Sequence, residues 1–396
     1  MKKNIVMAGG LSFEDANSSI TTTIELSKYF KILYAEGRVP FCRALKRKRI
    51  SRWFSLWIKS LKRSKPQQIN NNLSIISLFK LPLFPYSFPS TVLKFNNYIN
   101  LKRIKKWIKK LGMEENLLLY HWNWMFADFM GKIGEKYNIY QCRDAHDKHM
   151  HLKNTGYGNY ILENEQKMFD NEINKAFVVS DSLKEELIIR YGTDIDIEVL
   201  PNAVDYEFFR ETIGRCVDKK YPVLDEIENP KIIYCGGINE RLDMQLIYDL
   251  AENNKDWFFI FYGGASIPVR SDLENVKFMG RADKADVPLI MSKCDVGIMN
   301  YVISEFTNII DPLKMTEYLA AGLPVVSSSI NSAKIFNQQN EDILLLADSL
   351  QEWKKAIEKA IMLKNNNDFI KKALSIAEKN SIENKCKKIK NYIEAL

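Results

Sequence analysis

Short apolar runs bounded by turn residues alternate with amphipathic stretches along most of the chain, the pattern of strands alternating with helices. In the first half this predicts a strand at Asn4–Ala8, a Gly-Gly loop, a helix over Ser19–Phe30 and a strand at Lys31–Ala35. Helices are expected near 43–62 and 97–111. They are followed by a strand at Leu117–Tyr120, a helix near 124–136, a strand at Ile139–Cys142, a helix around 159–173 and a strand at Ala176–Val179. Ser182-x-x-Glu185 has the spacing of a capping box, Gly192 suits a helix stop, and Glu198–Leu200 reads as a short strand ending at Pro201.

Residues 210–229 are polar and irregular, after which the alternation is clearer. Strands are predicted at Lys231–Cys235, Trp257–Tyr262, Val276–Met279, Val296–Asn300 and Pro324–Ser328, with helices over Arg241–Glu252, Val287–Lys293 and Pro312–Ala321. A helical tail covers 349–394. The expected fold is α/β, with two Rossmann-like doubly wound domains. The divisions are an N-terminal domain over 1–205, a linker over 206–230, a C-terminal domain over 231–375, and a terminal helix over 376–396 placed to pack back on the N-terminal domain.

A length of 396 residues with 46% apolar side chains supplies two cores. No run approaches the roughly 18 apolar residues of a membrane span, since Leu73–Phe88 is broken by Lys80, Pro82 and Pro85. The apolar run after Met1-Lys2-Lys3 is too short for a secretory leader and reads as the first strand. Six cysteines lie at least 19 residues apart without a CxxC pair, which suits a reducing cytoplasm rather than a disulfide framework or zinc site.

Charge is distributed unevenly. Between Glu36 and Glu114 there is no acid but there are 19 lysines and arginines, so the +8 chain is a cationic segment attached to an acidic remainder. Arg43–Lys65 carries ten cations among Trp53, Phe54, Leu56, Trp57, Ile58 and Leu61. Ile99–Leu111 carries six around Leu101, Ile104, Trp107 and Ile108. Both suit helices lying on an anionic bilayer, which makes residues 43–65 and 99–111 the expected contacts with the inner face of the cytoplasmic membrane. A nucleic-acid-binding protein is the rival reading of the same cations.

Ligands of doubly wound sheets bind at the carboxyl ends of strands. The best candidate there is the segment from Asp311 to Gly322, in which Asp311 suits a cap, Pro312 the first helical position and Gly322 the stop. Lys314 and Glu317 share one face, a cation for a diphosphate and a carboxylate for ribose hydroxyls. A solvated Lys–Glu pair is the plainer alternative. Gly236-Gly237 directly follows a predicted strand, where backbone can approach a ligand and Arg241 can reach phosphate oxygens.

Phe177-Val178-Val179-Ser180, Val199-Leu200-Pro201-Asn202-Ala203-Val204-Asp205, Ile233-Tyr234-Cys235-Gly236-Gly237 and Glu240-Arg241-x-Asp243 form a specific set. Asn275-Val276-Lys277-Phe278-Met279-Gly280 and Pro312-Leu313-Lys314 through Val326 complete it. On these residues the chain resembles bacterial group 1 glycosyltransferases of the GT-B fold, two domains facing across a cleft. Those of teichuronic-acid synthesis and the xanthan-pathway glucuronosyltransferase are the most similar.

The resemblance implies a UDP-sugar held by Gly236, Gly237, Arg241, Leu313, Lys314 and Glu317, with Met279 and Gly280 against the base. It implies a polyprenyl-diphosphate-linked saccharide acceptor, no metal ion or other cofactor, and transfer of glucuronic acid or a hexose in surface polysaccharide synthesis. Tyr140-Gln141-Cys142-Arg143-Asp144 resembles the strand end whose aspartate is the base, which makes Asp144 the first catalytic candidate and His121 the second. A turn-forming Asp144 and a structural His121 are the alternatives. His146, His149 and His151 read as exposed loop histidines rather than a metal site, and Glu163 and Glu165 are left unassigned. Two departures stand out. Ala203 replaces a common glycine, and Ile309 occupies the position where retaining relatives place a second glutamate. A sugar-nucleotide epimerase of the same fold is the enzymatic alternative.

Overall fold

The computed structural model describes residues 3–9, 13, 18–37, 58, 63–78, 90–145, 148, 156–171, 173–192, 194–215, 221–228, 230–270 and 272–396. The chain divides into two units, Met1–Pro201 with Cys386–Leu396, and Asn202–Lys385.

Unit 1 holds strands β1 (Asn4–Gly9), β2 (Lys31–Glu36), β3 (Gln67–Gln68), β4 (Leu73–Ser77), β5 (Leu117–His121), β6 (Tyr137–Cys142), β7 (Lys175–Val178) and β8 (Ile197–Val199). They form one sheet in the order β3-β4-β2-β1-β5-β6-β7-β8, parallel except for the β3–β4 pair. The central strands β1 and β5 are buried along nearly their whole length, on both faces, which is why they read as unbroken apolar runs. β1 lies between β2 and β5, so strand order reverses there and the carboxyl ends of β1 and β5 mark the switch point.

β4 falls inside the acid-free stretch, where basic composition hid a strand whose Ile75 and Ile76 are fully buried. The helix expected over 97–111 runs from Ser90 to Lys110. Its Ile104 and Ile108 are 0% and 2% exposed, so the apolar stripe expected to meet a bilayer packs inward instead. The opposite face presents Phe95 and Tyr98, then Lys102, Lys105, Lys106 and Lys109. Most of 43–65 lies outside the described residues. No helix among the described residues is long and apolar enough to cross a membrane.

The helix Asp181–Tyr191 is capped by Ser180, whose hydroxyl accepts the Leu183 N–H at 3.2 Å, so the expected Ser182–Glu185 box does not form. Gly192 closes that helix as expected, its N–H donating to Ile188 O. The helix expected near 124–136 is replaced by a short 3-10 segment, Trp124–Phe129, broken by a kink at Phe126.

Unit 2 holds β9 (Lys231–Cys235), β10 (Phe258–Tyr262), β11 (Val276–Gly280), β12 (Val296–Met299), β13 (Val325–Ser327) and β14 (Leu345–Leu346) in a parallel sheet of order β11-β10-β9-β12-β13-β14. The reversal falls between β9 and β12. Residues 206–230, expected as a linker, fall within unit 2. They contain helices Tyr206–Gly214 and Pro222–Asp225, and Val204 and Phe209 are buried in the unit 2 core.

The tail resolves into helices Leu350–Leu363, Asn367–Lys379 and Ile382–Ala395. The division between units falls inside the last of these. Cys386, Ile389 and Ile393 are fully buried, Cys386 Sγ lies 3.7 Å from Thr22 O, and Tyr392 meets the Phe177 ring edge-on.

Candidate active site

At the carboxyl end of β9 the chain turns through Gly236, whose N–H donates to Tyr262 O at 2.8 Å. A Cβ on Gly236 would lie 2.5 Å from Lys314 Cε and 2.7 Å from its Nζ, so the ammonium rests directly on the glycine backbone. Lys314 opens the helix Lys314–Ala320, and Gly322, with φ of +74°, ends it as expected. The Nζ sits 5.2 Å from the centre of the Tyr234 ring. Burial opposes its charge, but the Tyr234 and Tyr301 phenols and Glu317 outweigh burial and hold its pKa above the ordinary lysine value. Glu317 lies one turn on. Burial pushes its pKa up, with Lys314 and Lys284 opposing. The Cys235 thiol beside them is pushed up to about 12, by burial first and then by Glu317, which keeps it protonated.

Arg241 is held from two sides. Its Nε donates to Asn239 Oδ1 at 3.1 Å, and its guanidinium lies 5.7 Å from the Phe306 ring centre. Among the described residues neither Lys314 nor Arg241 forms an ion pair. Met279 and Gly280 end β11, where Gly280 O accepts the Gly263 N–H at 2.7 Å.

Asp311 does not cap the helix as expected, because the helix starts later, with Leu313 as its cap residue and no side-chain cap. Its carboxylate instead accepts the Asn202 N–H at 2.6 Å, and Asn202 Nδ2 donates back to Asp311 O at 2.8 Å. Ala203 is not among the residues with positive φ, so replacing the common glycine introduces no backbone strain. Ile309 is buried, which leaves Glu317 without the second glutamate of retaining relatives.

In unit 1, Asp144 lies two residues beyond β6, with Cys142 Sγ 3.7 Å from its carbonyl. Arg143 stacks 5.3 Å from the Trp122 ring centre. His121 ends β5 fully buried, and burial pushes its pKa down to about 3 despite Asn138, so the imidazole is neutral and closed to solvent. Glu165 is a structural acceptor, bonded by Tyr140 Oη at 2.6 Å and Tyr191 Oη at 2.8 Å, while Glu163 is exposed. His146, His149 and His151 lie outside the described residues. Glu36, which no motif or spacing singles out, accepts the Phe13 N–H at 2.8 Å, Arg63 at 3.2 Å and the Ser77 hydroxyl. It ties Phe13, Arg63 and Ser77 of β4 to the end of β2.

Residues 229–362 match the family model described as Glycosyl transferases group 1. The C-terminal unit carries a group 1 glycosyltransferase domain. TuaH of Bacillus subtilis (strain 168), named as a putative teichuronic acid biosynthesis glycosyltransferase, is 33% identical over 145 residues. That match covers 34% of this chain and 35% of the relative, about a third of each.

Solved structures align along the whole length. Sucrose-phosphate synthase from Thermosynechococcus elongatus has a TM-score of 0.68 at 12% identity, covering 99% of both chains. Anabaena HepE in complex with UDP scores 0.62 at 14% identity, covering 99% of this chain and 100% of that one. A glycosyltransferase from Rickettsia africae scores 0.64 at 14% identity, covering 100% and 99%. At these identities the likeness concerns architecture, and the architecture is the GT-B fold. The glycosyltransferase domain contains Gly236, Gly237, Arg241, Met279, Gly280, Leu313, Lys314 and Glu317. Within it the structure gathers the Gly-Gly turn, Arg241, Lys314 and Glu317 around the β9–β12 switch point. Asp144 and His121 lie outside the matched residues.

Proposed function

We propose that this chain is a nucleotide-sugar-dependent glycosyltransferase that moves glucuronic acid or a hexose from a UDP-sugar to a polyprenyl-diphosphate-linked saccharide, working without a metal ion. The observation that carries this reading is the ammonium of Lys314 resting on the Gly236 backbone, with Glu317 one turn further on. A cation set against a glycine turn suits a diphosphate, and a carboxylate at that distance suits two ribose hydroxyls. HepE, of like architecture, was solved in complex with UDP, and TuaH is named for teichuronic acid biosynthesis; both agree with this donor and setting.

In the proposed step Asp144 takes the proton of the acceptor hydroxyl, and the oxygen attacks the anomeric carbon as the bond to UDP breaks. The leaving diphosphate keeps the electron pair, and its charge is met by Lys314 and Arg241 in the role a metal would otherwise fill. Inversion of the anomeric centre follows, in keeping with the single Glu317. His121, neutral and enclosed, is the weaker base.

The test is transfer from a panel of UDP-sugars in the presence of a chelator, with calorimetry of UDP. Lys314→Ala should weaken UDP by roughly 1.5–3 kcal/mol, the scale of a charge-assisted contact. Asp144→Asn should abolish transfer while leaving UDP affinity intact. Unchanged UDP affinity in the lysine variant sinks the donor site. Turnover of UDP-sugar without any acceptor would favour the epimerase reading.

A further inference from the structure

Both cations of the proposed donor site rest on aromatic rings. Lys314 Nζ is 5.2 Å from the Tyr234 ring centre and the Arg241 guanidinium 5.7 Å from that of Phe306, both inside the range of cation–π attraction. Tyr234 is 2% exposed and Phe306 7%. The Tyr234 hydroxyl also donates to Gly237 O at 3.2 Å, so one side chain fixes Lys314 with its face and the Gly-Gly turn with its tip. Asn239, a neutral acceptor, takes the Nε of Arg241 at 3.1 Å.

The choice of seat has an electrostatic meaning. A carboxylate partner would hold a lysine or arginine equally well, but it would cancel the charge and occupy the N–H donors. A ring face attracts the cation through its quadrupole and carries no net charge, and it leaves the donors on the far side available. Among the described residues no carboxylate pairs with Lys314 or Arg241, and Glu317 acts on Lys314 only at longer range. Two positive charges are thus held in place yet left uncompensated, which matches a ligand bringing two negative phosphoryl groups.

Resting on the donor-site reading above, we infer that Tyr234 and Phe306 are positioning residues that seat the two phosphate-binding cations. They act on the diphosphate through Lys314 and Arg241 and have no part in holding the nucleoside.

The test compares UDP with uridine, which lacks the phosphates, by calorimetry on the full chain. Tyr234→Leu and Phe306→Leu should each weaken UDP by about tenfold and leave uridine unchanged. Tyr234→Phe keeps the ring and should bind UDP within about threefold of the parent. Parallel loss of UDP and uridine in both leucine variants would mean a merely structural role and overturn the inference. UDP binding that depends on Lys314 but ignores both rings overturns it alone. If the parent chain binds no UDP, the donor-site reading fails and takes the inference with it. Should Tyr234→Leu not fold, Phe306→Leu and Tyr234→Phe decide the outcome.

Discussion

Asp311 shows how a single residue departs from what its neighbours in sequence suggest. Burial raises its pKa from 3.8 to about 6, against the opposing Asn202 N–H and Lys385. A carboxyl whose pKa is higher folded than unfolded takes up a proton on folding between these values. It favours the native state fully below about pH 4 and ceases to do so as pH rises through about 6. Near neutrality its ionisation costs up to about 3 kcal/mol. Asp311→Asn keeps an oxygen for the Asn202 N–H and removes the charge. At pH 7.5 it should therefore raise stability by about 1–2 kcal/mol in denaturant titrations, with no gain at pH 4. A fall in stability at pH 7.5 would mean that the charged hydrogen bond outweighs burial. Lys314 and Glu317 were legible because helical spacing puts them on one face. The Asn202–Asp311 tie was not, since its partners are 109 residues apart and no periodicity links them. The rings under the two cations escaped notice because Tyr234 near a strand end and Phe306 in a short helix both read simply as core.

Elements were most legible where apolar runs are bounded by turn residues, as for β9, β10 and β12. They were least so where composition misleads, as for β4 among lysines, or where an element is too short to carry a period, as for β14. The turn after β9 illustrates what spacing can and cannot give. Two glycines announce close approach but do not say to what. The structure supplies the answer in Lys314, so Gly236→Ala becomes a test of the element. Its Cβ would displace the ammonium, and UDP affinity should fall by roughly 1.5–3 kcal/mol, matching Lys314→Ala, while the combined variant loses little more than either alone. Additive losses measured by calorimetry would show that the turn acts independently of the lysine.

Over the whole molecule, sequence conveyed two α/β sheets and a concentrated cationic segment, but misjudged which side chains of that segment face outward. Phe95 and Tyr98 are 52% and 55% exposed, and Lys102 sits 4.3 Å from the Tyr98 ring centre, aromatic and basic groups on one helical face. Each lysine near an anionic bilayer contributes about 1 kcal/mol, screened by salt. The protein should therefore float with phosphatidylglycerol liposomes at low salt and leave them at high salt. Exchanging Lys102 and Lys106 for glutamate should weaken that binding, and equal binding to neutral liposomes would refute it. The position of Cys386–Leu396 has a consequence for how the protein is made. Unit 1 is interrupted in sequence by all of unit 2, and its buried Cys386, Ile389 and Ile393 are translated only after unit 2. Unit 2 is one continuous segment and can close as soon as it clears the ribosome. Unit 1, though first to emerge, must wait with part of its apolar surface uncovered until residues 386–396 have followed all of unit 2 out of the ribosome, and it is this half that is open to aggregation in the interval.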